Sequence, residues 1–238
     1  MPRFAIAYAA SGGTSRTDAR LTVDEQGVGR MFLGSSMSLP PAGELDTVGV
    51  FEGKVDGRLA ARLNKLVAPV PADLAAGEAA IPGSVVRNLV VTEDGRDHWQ
   101  ATIPGYAAPP LDEIETTLQK VMTKLAAQPA AAVRLTIDPD GAFVLTGAGT
   151  RPVELAGLGA LRGTVVLMDG AGGVLGTAAV APLESSSATL APGEELRVPA
   201  SRPQPGRGGQ LSGGLEFQLV VDGRPRAVIL QAEPARVK

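Results

Sequence analysis

Along the first half of the chain, short alternating segments give way twice to helical spacing. Phe4, Ile6 and Tyr8 alternate with small residues from Phe4 to Ala10, the period-two pattern of a half-buried strand. Ser11-Gly12-Gly13-Thr14-Ser15 breaks that pattern as a loop. Arg20 to Asp24 and Val28 to Leu33 predict two more strands joined through Gln26-Gly27, with glycine where a hairpin turn needs positive φ. Ser35 to Asp46 is a polar, proline-bearing connection. After Phe51, Leu59, Leu63, Leu66 and Val67 share one helical face, Asp56 stands at the N-cap position, and Pro69 and Pro71 end the run. Val85 to Val91 and His98 to Ile103 predict strands on either side of Glu93-Asp94-Gly95. The clearest helix runs from Leu111 to Gln128, with Leu111, Ile114, Leu118, Val121, Met122 and Leu125 in one apolar stripe. Asp112, Glu113 and Glu115 near its start, and Lys120 and Lys124 towards its end, suit the helix dipole.

From Ala132 onward the helical period disappears. Val133 to Ile137 and Ala142 to Thr146 flank Asp138-Pro139-Asp140-Gly141, and Val153 to Leu155 is a short strand. Thr164 to Met168 and Val174 to Val180 flank the glycine-rich turn Asp169 to Gly173. Leu196 to Val198 follows, and Leu215 to Val221 and Arg226 to Gln231 form a hairpin through Asp222-Gly223. About seven strands separated by turn signals read as an immunoglobulin-like β-sandwich. The expectation is an α+β domain over residues 1–130, an antiparallel sheet with two helices, followed by an all-β immunoglobulin-like sandwich over 131–238. One internal echo, Leu21-Thr22-Val23-Asp24 with Gly27 against Leu135-Thr136-Ile137-Asp138 with Gly141, is accounted for by shared hairpin chemistry.

Composition narrows the function classes. The chain has 238 residues, 44% of them apolar but only 3% aromatic, so its core must be aliphatic. A net charge of −3 gives no electrostatic footprint for nucleic acid or an anionic membrane. There is no cysteine and a single histidine, His98, which excludes disulfides and thiolate sites and disfavours zinc. No basic start followed by an apolar run marks a signal peptide, and no stretch nears the roughly 20 apolar residues of a bilayer span. A cytoplasmic protein without a membrane partner is expected.

The candidate catalytic and metal-binding residues read as structural. His98 has no cysteine or second histidine to work with and is assigned to packing. Asp24-Glu25-Gln26-Gly27 and Asp138-Pro139-Asp140-Gly141 hint at calcium, but the twelfth positions of such loops fall on Ser35 and Gly149, where a glutamate is required. The glycines at 170, 172 and 173 and at 206, 208 and 209 lack the Lys-Ser or Lys-Thr of a phosphate loop. Ser185-Ser186-Ser187 has no nucleophile elbow around it. Acids such as Asp94 and Glu113 could converge only through tertiary structure. Arg197, Arg202 and Arg207 lie in an acid-free stretch from Arg197 to Gln210, read as a solvated connection or a dock for an acidic partner. No catalytic residue, metal ligand or cofactor is assigned, and the chain is not expected to be an enzyme.

Ser11-Gly12-Gly13 after the first strand, then Leu59, Leu63 and Leu66, then Leu89-Val90-Val91-Thr92-Glu93-Asp94-Gly95, His98 and the helix from Leu111 follow the element order of a known family. Residues 1–128 resemble the emfourin-like proteins, small inhibitors of thermolysin-like metallopeptidases. The resemblance implies a protein partner, a thermolysin-like metallopeptidase, whose active-site cleft is occluded by a surface that includes Ser11, Gly12, Gly13, Thr14 and Ser15. The alternative is a non-catalytic structural or adaptor protein that mediates assembly.

Overall fold

The computed structural model describes residues 4–13, 16–35, 47–71, 82–103, 105–200, 203 and 209–237. Among these the chain is β-rich, with two α-helices, α1 (Gly57–Val67) and α2 (Leu111–Leu125), and one 3₁₀ turn at Leu158–Ala160. No helix is long and apolar enough to cross a membrane. Two compact units result: the first is Met1–Gly43 with Val50–Pro129, the second Glu44–Gly49 with Ala130–Lys238.

The first unit holds β1 (Phe4–Gly12), β2 (Thr17–Val23), β3 (Val28–Leu33), most of β4 (Thr47–Lys54), β5 (Val85–Glu93) and β6 (Arg96–Ile103). Their order across the sheet is β4-β3-β2-β1-β5-β6. β1 is interior and antiparallel to both neighbours, with Tyr8 opposite Leu21 on β2 and Leu89 on β5. Alternation puts Phe4, Ile6, Tyr8 and Ala10 on one buried face of β1, and the helices cover that face. α2 contributes the buried stripe Leu111, Ile114, Leu118, Val121, Met122 and Leu125, each side chain contributing about 1.5–3 kcal/mol over its exposed state. At the start of α1, Asp56 Oδ1 accepts from the Arg58 and Leu59 amides at 3.0 and 3.3 Å. At its end, Trp99 Nε1 donates to the Val67 carbonyl at 3.0 Å, satisfying an acceptor that the last helical turn leaves open.

β4 was not expected, and its burial shows why. Thr47 to Phe51 are all buried, so the segment has no period-two signal to read. α2 also ends three residues earlier than its expected limit at Gln128. Its last turn closes through Gln128 N to Leu125 O at 2.8 Å, and the Gln128 carbonyl accepts from Glu52 N of β4 at 3.2 Å.

The second unit contains β7 (Pro129–Ile137), β8 (Phe143–Gly147), β9 (Val153–Ala156), β10 (Arg162–Met168), β11 (Val174–Ala179), β12 (Ser187–Leu190), β13 (Glu195–Val198), β14 (Gly209–Val221) and β15 (Arg224–Val237). One sheet runs β13-β8-β7. Thr47–Gly49, the first residues of β4, also belong here, and Gly49 needs to be glycine. It has φ +129°, and a Cβ on it would lie 2.5 Å from the Ala131 carbonyl. In the other sheet β14 is the spine. It pairs with β15 along one edge, and with β10 and then β9 end to end along the other. The two sheets meet where the buried Phe143 ring lies over Gly213. A Cβ on Gly213 would come within 3.0 Å of that ring. The strand β12 escaped the sequence reading because only Leu190 of its four residues is buried.

Three hairpins in the two units close with the same five-residue turn. Asp24 Oδ1 accepts from the Gln26 and Val28 amides at 2.9 and 2.7 Å. Asp138 Oδ1 does so from Asp140 and Ala142 at 3.0 and 3.2 Å, and Asp169 Oδ1 from Ala171 and Gly173 at 2.8 and 2.7 Å. The fourth position is glycine each time, with φ of 76°, 90° and 85° at Gly27, Gly141 and Gly172. One short carboxylate thus satisfies two amides, and glycine supplies the left-handed backbone. The echo between Asp24 and Asp138 is shared turn chemistry, since a third copy stands on unrelated flanks.

Gly27 and Gly172 have nothing within 4 Å of where a Cβ would sit, so backbone conformation alone excludes other residues there. Gly27→Ala or Gly172→Ala should cost about 1–2 kcal/mol, and asparagine at either position should cost less. Urea unfolding compares them. Equal losses for alanine and asparagine would mean that φ is not the constraint.

Candidate functional site

The interior strand β1 ends in an exposed turn. Ser11 sits opposite Asp18 on β2 and Val86 on β5, and Gly12 opposite Thr17 and Val85. Ser11 and Gly12 are exposed. φ is 91° at Gly12, 76° at Gly13 and 49° at Arg16, and Arg16 N donates to the Gly13 carbonyl at 3.1 Å. A Cβ on Gly13 would lie 2.8 Å from Val85 Cγ2, so Gly13 is also demanded by its packing on β5. The structure therefore brings Ser11, Gly12 and Gly13 together at one end of the sheet. Thr14 and Ser15 lie outside the described residues.

A polar cluster underlies the same end. Tyr8 OH donates to Glu115 Oε1 at 3.0 Å. Arg87 Nε approaches the same oxygen at 2.7 Å, yet it makes no aligned hydrogen bond, so this is a charge contact. The directed bond of the guanidinium runs from Nη2 to the Gly105 carbonyl. The side chains of Arg87 and Glu115 are 18% and 12% exposed. Glu115 thus ties β1, β5 and α2 together, and Arg87 extends the tie to the loop after β6. Burial, followed by the charge of Glu115 and its hydrogen bond, pushes the Tyr8 phenol well above its ordinary range, against the smaller opposing effect of Arg87.

Tyr106, next to Gly105, lies outside every element that the sequence pattern predicts. It is 93% exposed. The available signal was its context: one of two tyrosines in the chain, in Pro104-Gly105-Tyr106-Ala107-Ala108-Pro109-Pro110, outside any apolar periodicity.

The other candidates are engaged in structure. The His98 ring packs on Phe4 at 5.1 Å between centroids, and its Nδ1 is 4.0 Å from Glu93 Oε2. Arg197 straddles the Asp138 turn, with Nη1 2.6 Å from Asp138 Oδ2 and Nη2 3.1 Å from Asp140 Oδ2. That geometry occupies the two aspartates and directs the Arg197 guanidinium into its own unit. Arg202, Arg207, Gly206 and Gly208 lie outside the described residues. Ser185 Oγ donates to the Ser187 carbonyl at 2.5 Å, closing a local turn. Asp94 takes a left-handed turn position at φ 49°, and Glu113 pairs with Arg62 at 3.5 Å, so these two acids do not converge on a site. Among the described residues no group of three His, Asp or Glu is placed to hold a metal ion.

An unfolded tyrosine ionises near pH 10, whereas Tyr8 in the fold keeps its proton beyond that. The stability tied to the neutral phenol is therefore fully present below about pH 10 and is lost as pH rises above it. Tyr8→Phe should flatten the alkaline limb of stability, read as urea midpoints between about pH 8 and pH 11. An unchanged slope would assign that limb to other groups.

No protein-family model matches the sequence, and no curated protein is significantly similar to it.

Proposed function

We propose that this protein is a non-catalytic inhibitor of a thermolysin-like metallopeptidase. In this reading residues 1–130 form an emfourin-like α+β domain, and residues 131–238 form an immunoglobulin-like sandwich that adds contact area. The protein acts in the cytoplasm and occludes the cleft of its target with the turn that contains Ser11, Gly12 and Gly13. The observation that carries the reading is this turn. Two consecutive glycines at positive φ, with Ser11 and Gly12 exposed, end a strand held on both sides. Glycine there lets a partner approach main chain without a side chain in the way. A turn anchored in a sheet interior loses little freedom on binding.

The test uses the whole chain. Ending it at Gln128 would remove Ala131, against which Gly49 is packed. Titration of a panel of thermolysin-like peptidases should show stoichiometric loss of activity. Ser11→Trp is the informative variant, because Gly12→Trp would strain a backbone at φ 91°, whereas Ser11 is in an ordinary strand conformation. Ser11→Trp should weaken inhibition at least about 30-fold, the equivalent of roughly 2 kcal/mol at a binding hot spot. Absence of inhibition across the panel would leave the adaptor reading in its place.

A further inference from the structure

We infer that Tyr106 is the anchor with which this protein grips its target, inserting into an apolar pocket that presents a hydrogen-bond acceptor at its floor. The inference rests on the proposed function and names the residue and the kind of surface that the inhibitory end recognises.

The first observation is exposure. Tyr106 is 93% exposed, against 63% for Val174, 48% for Val28 and 45% for Leu175, the other exposed large apolar side chains among the described residues. Every other aromatic side chain of the described residues is buried: Phe4, Tyr8, Phe32, Phe51, Trp99, Phe143 and Phe217. In a chain with 3% aromatic residues, placing one of them wholly in water forgoes burial that the core could have used.

The second observation is support. The loop that carries Tyr106 is not left to itself, because Arg87 Nη2 donates to the carbonyl of the preceding Gly105. Arg87 is in turn held beside Glu115 at 2.7 Å, and Glu115 accepts from Tyr8 at 3.0 Å. A fully exposed aromatic thus stands on a mostly buried polar tie that reaches the interior strand of the sheet. Preorganised support of this kind reduces the ordering cost of binding, and tyrosine itself has few rotamers to lose.

The third observation is position. Arg87 faces Ile103 at the end of β6, while Val85, two residues earlier on β5, faces Gly12 on β1. The Ser11–Gly13 turn and the Gly105–Tyr106 loop therefore flank the start of β5, two strand spacings or about 10 Å apart. A partner that covers about 800 Å² on this side would meet both. The chemistry of the target follows from the phenol. Its ring calls for an apolar pocket, and its hydroxyl, once desolvated, calls for a carboxylate or carbonyl acceptor.

The experiment measures inhibition constants of the full chain and its variants against the same peptidase panel, with hydrolysis of a fluorogenic peptide as readout. Tyr106→Ala leaves no cavity, so a loss of inhibition would not come from misfolding, and circular dichroism confirms this. The expected result is at least about 30-fold weaker inhibition for Tyr106→Ala and a smaller loss of about 2–10-fold for Tyr106→Phe, the share of one hydrogen bond. Val28→Ala, at the Asp24 turn, should leave inhibition unchanged. If the wild-type chain inhibits and Tyr106→Ala inhibits equally well, the inference is overturned while the proposed function stands. If Tyr106→Phe matches wild type, the acceptor at the pocket floor is overturned and the apolar anchor stands. If the wild-type chain inhibits nothing, the proposed function and the anchor fall together.

Discussion

Glu115 carries a carboxylate into the space between α2 and the sheet, and the first unit is arranged around satisfying it. Its neighbours come from two different strands, Tyr8 on β1 and Arg87 on β5. A buried charge pair contributes little net stability, because its desolvation offsets the attraction, but losing one partner is costly. The pair therefore acts through what it forbids. Sliding α2 by one turn, about 5.4 Å, would strand the guanidinium and the phenol together. The aliphatic stripe of α2 would tolerate such a slip far better, since leucine, valine and methionine side chains fill one another's places at small expense. Polar contacts thus set the register that an aliphatic core leaves loosely specified.

The chain meets its turns with equal economy. An aspartate followed by glycine three residues later recurs at Asp24, Asp138 and Asp169, and each copy joins strands adjacent in sequence. The same carboxylate type serves elsewhere. Asp56 caps α1, and its hydrogen bond with Lys124, followed by those with the Leu59 and Arg58 amides, holds its pKa below the ordinary aspartate range. The scarce aromatic residues go where an aliphatic side chain would not do. The Trp99 indole reaches a helix-end carbonyl, and the Phe143 ring fills the gap over Gly213.

What could be read in the sequence was local. The cap at Asp56, the aspartate turns, the stripe of α2 and the alternation of β1 all depend on residues within a few positions of one another. β4 could not be read, because burial of every residue from Thr47 to Phe51 erases the alternation that marks a strand. The polar cluster beneath the Ser11–Gly13 turn was equally hidden. Tyr8 and Glu115 are 107 residues apart, and neither carries a motif. Ser11, Gly12 and Gly13 stood out as a glycine loop, but the reason for Gly13 lies in Val85. Tyr106 gave no periodic signal, since a side chain aimed at solvent belongs to no buried face.

The strand β4 imposes an order on biosynthesis. Thr47–Gly49 leave the ribosome early, yet the backbone of Ala131 and Ala132 against which Gly49 packs is translated roughly 80 residues later. At about 5–20 residues per second that is a wait of about 4–16 s. During this interval a largely apolar stretch, Thr47-Val48-Gly49-Val50-Phe51, lacks part of its native cover. The packing around Gly49 is therefore completed only once Ala131 and Ala132 have emerged.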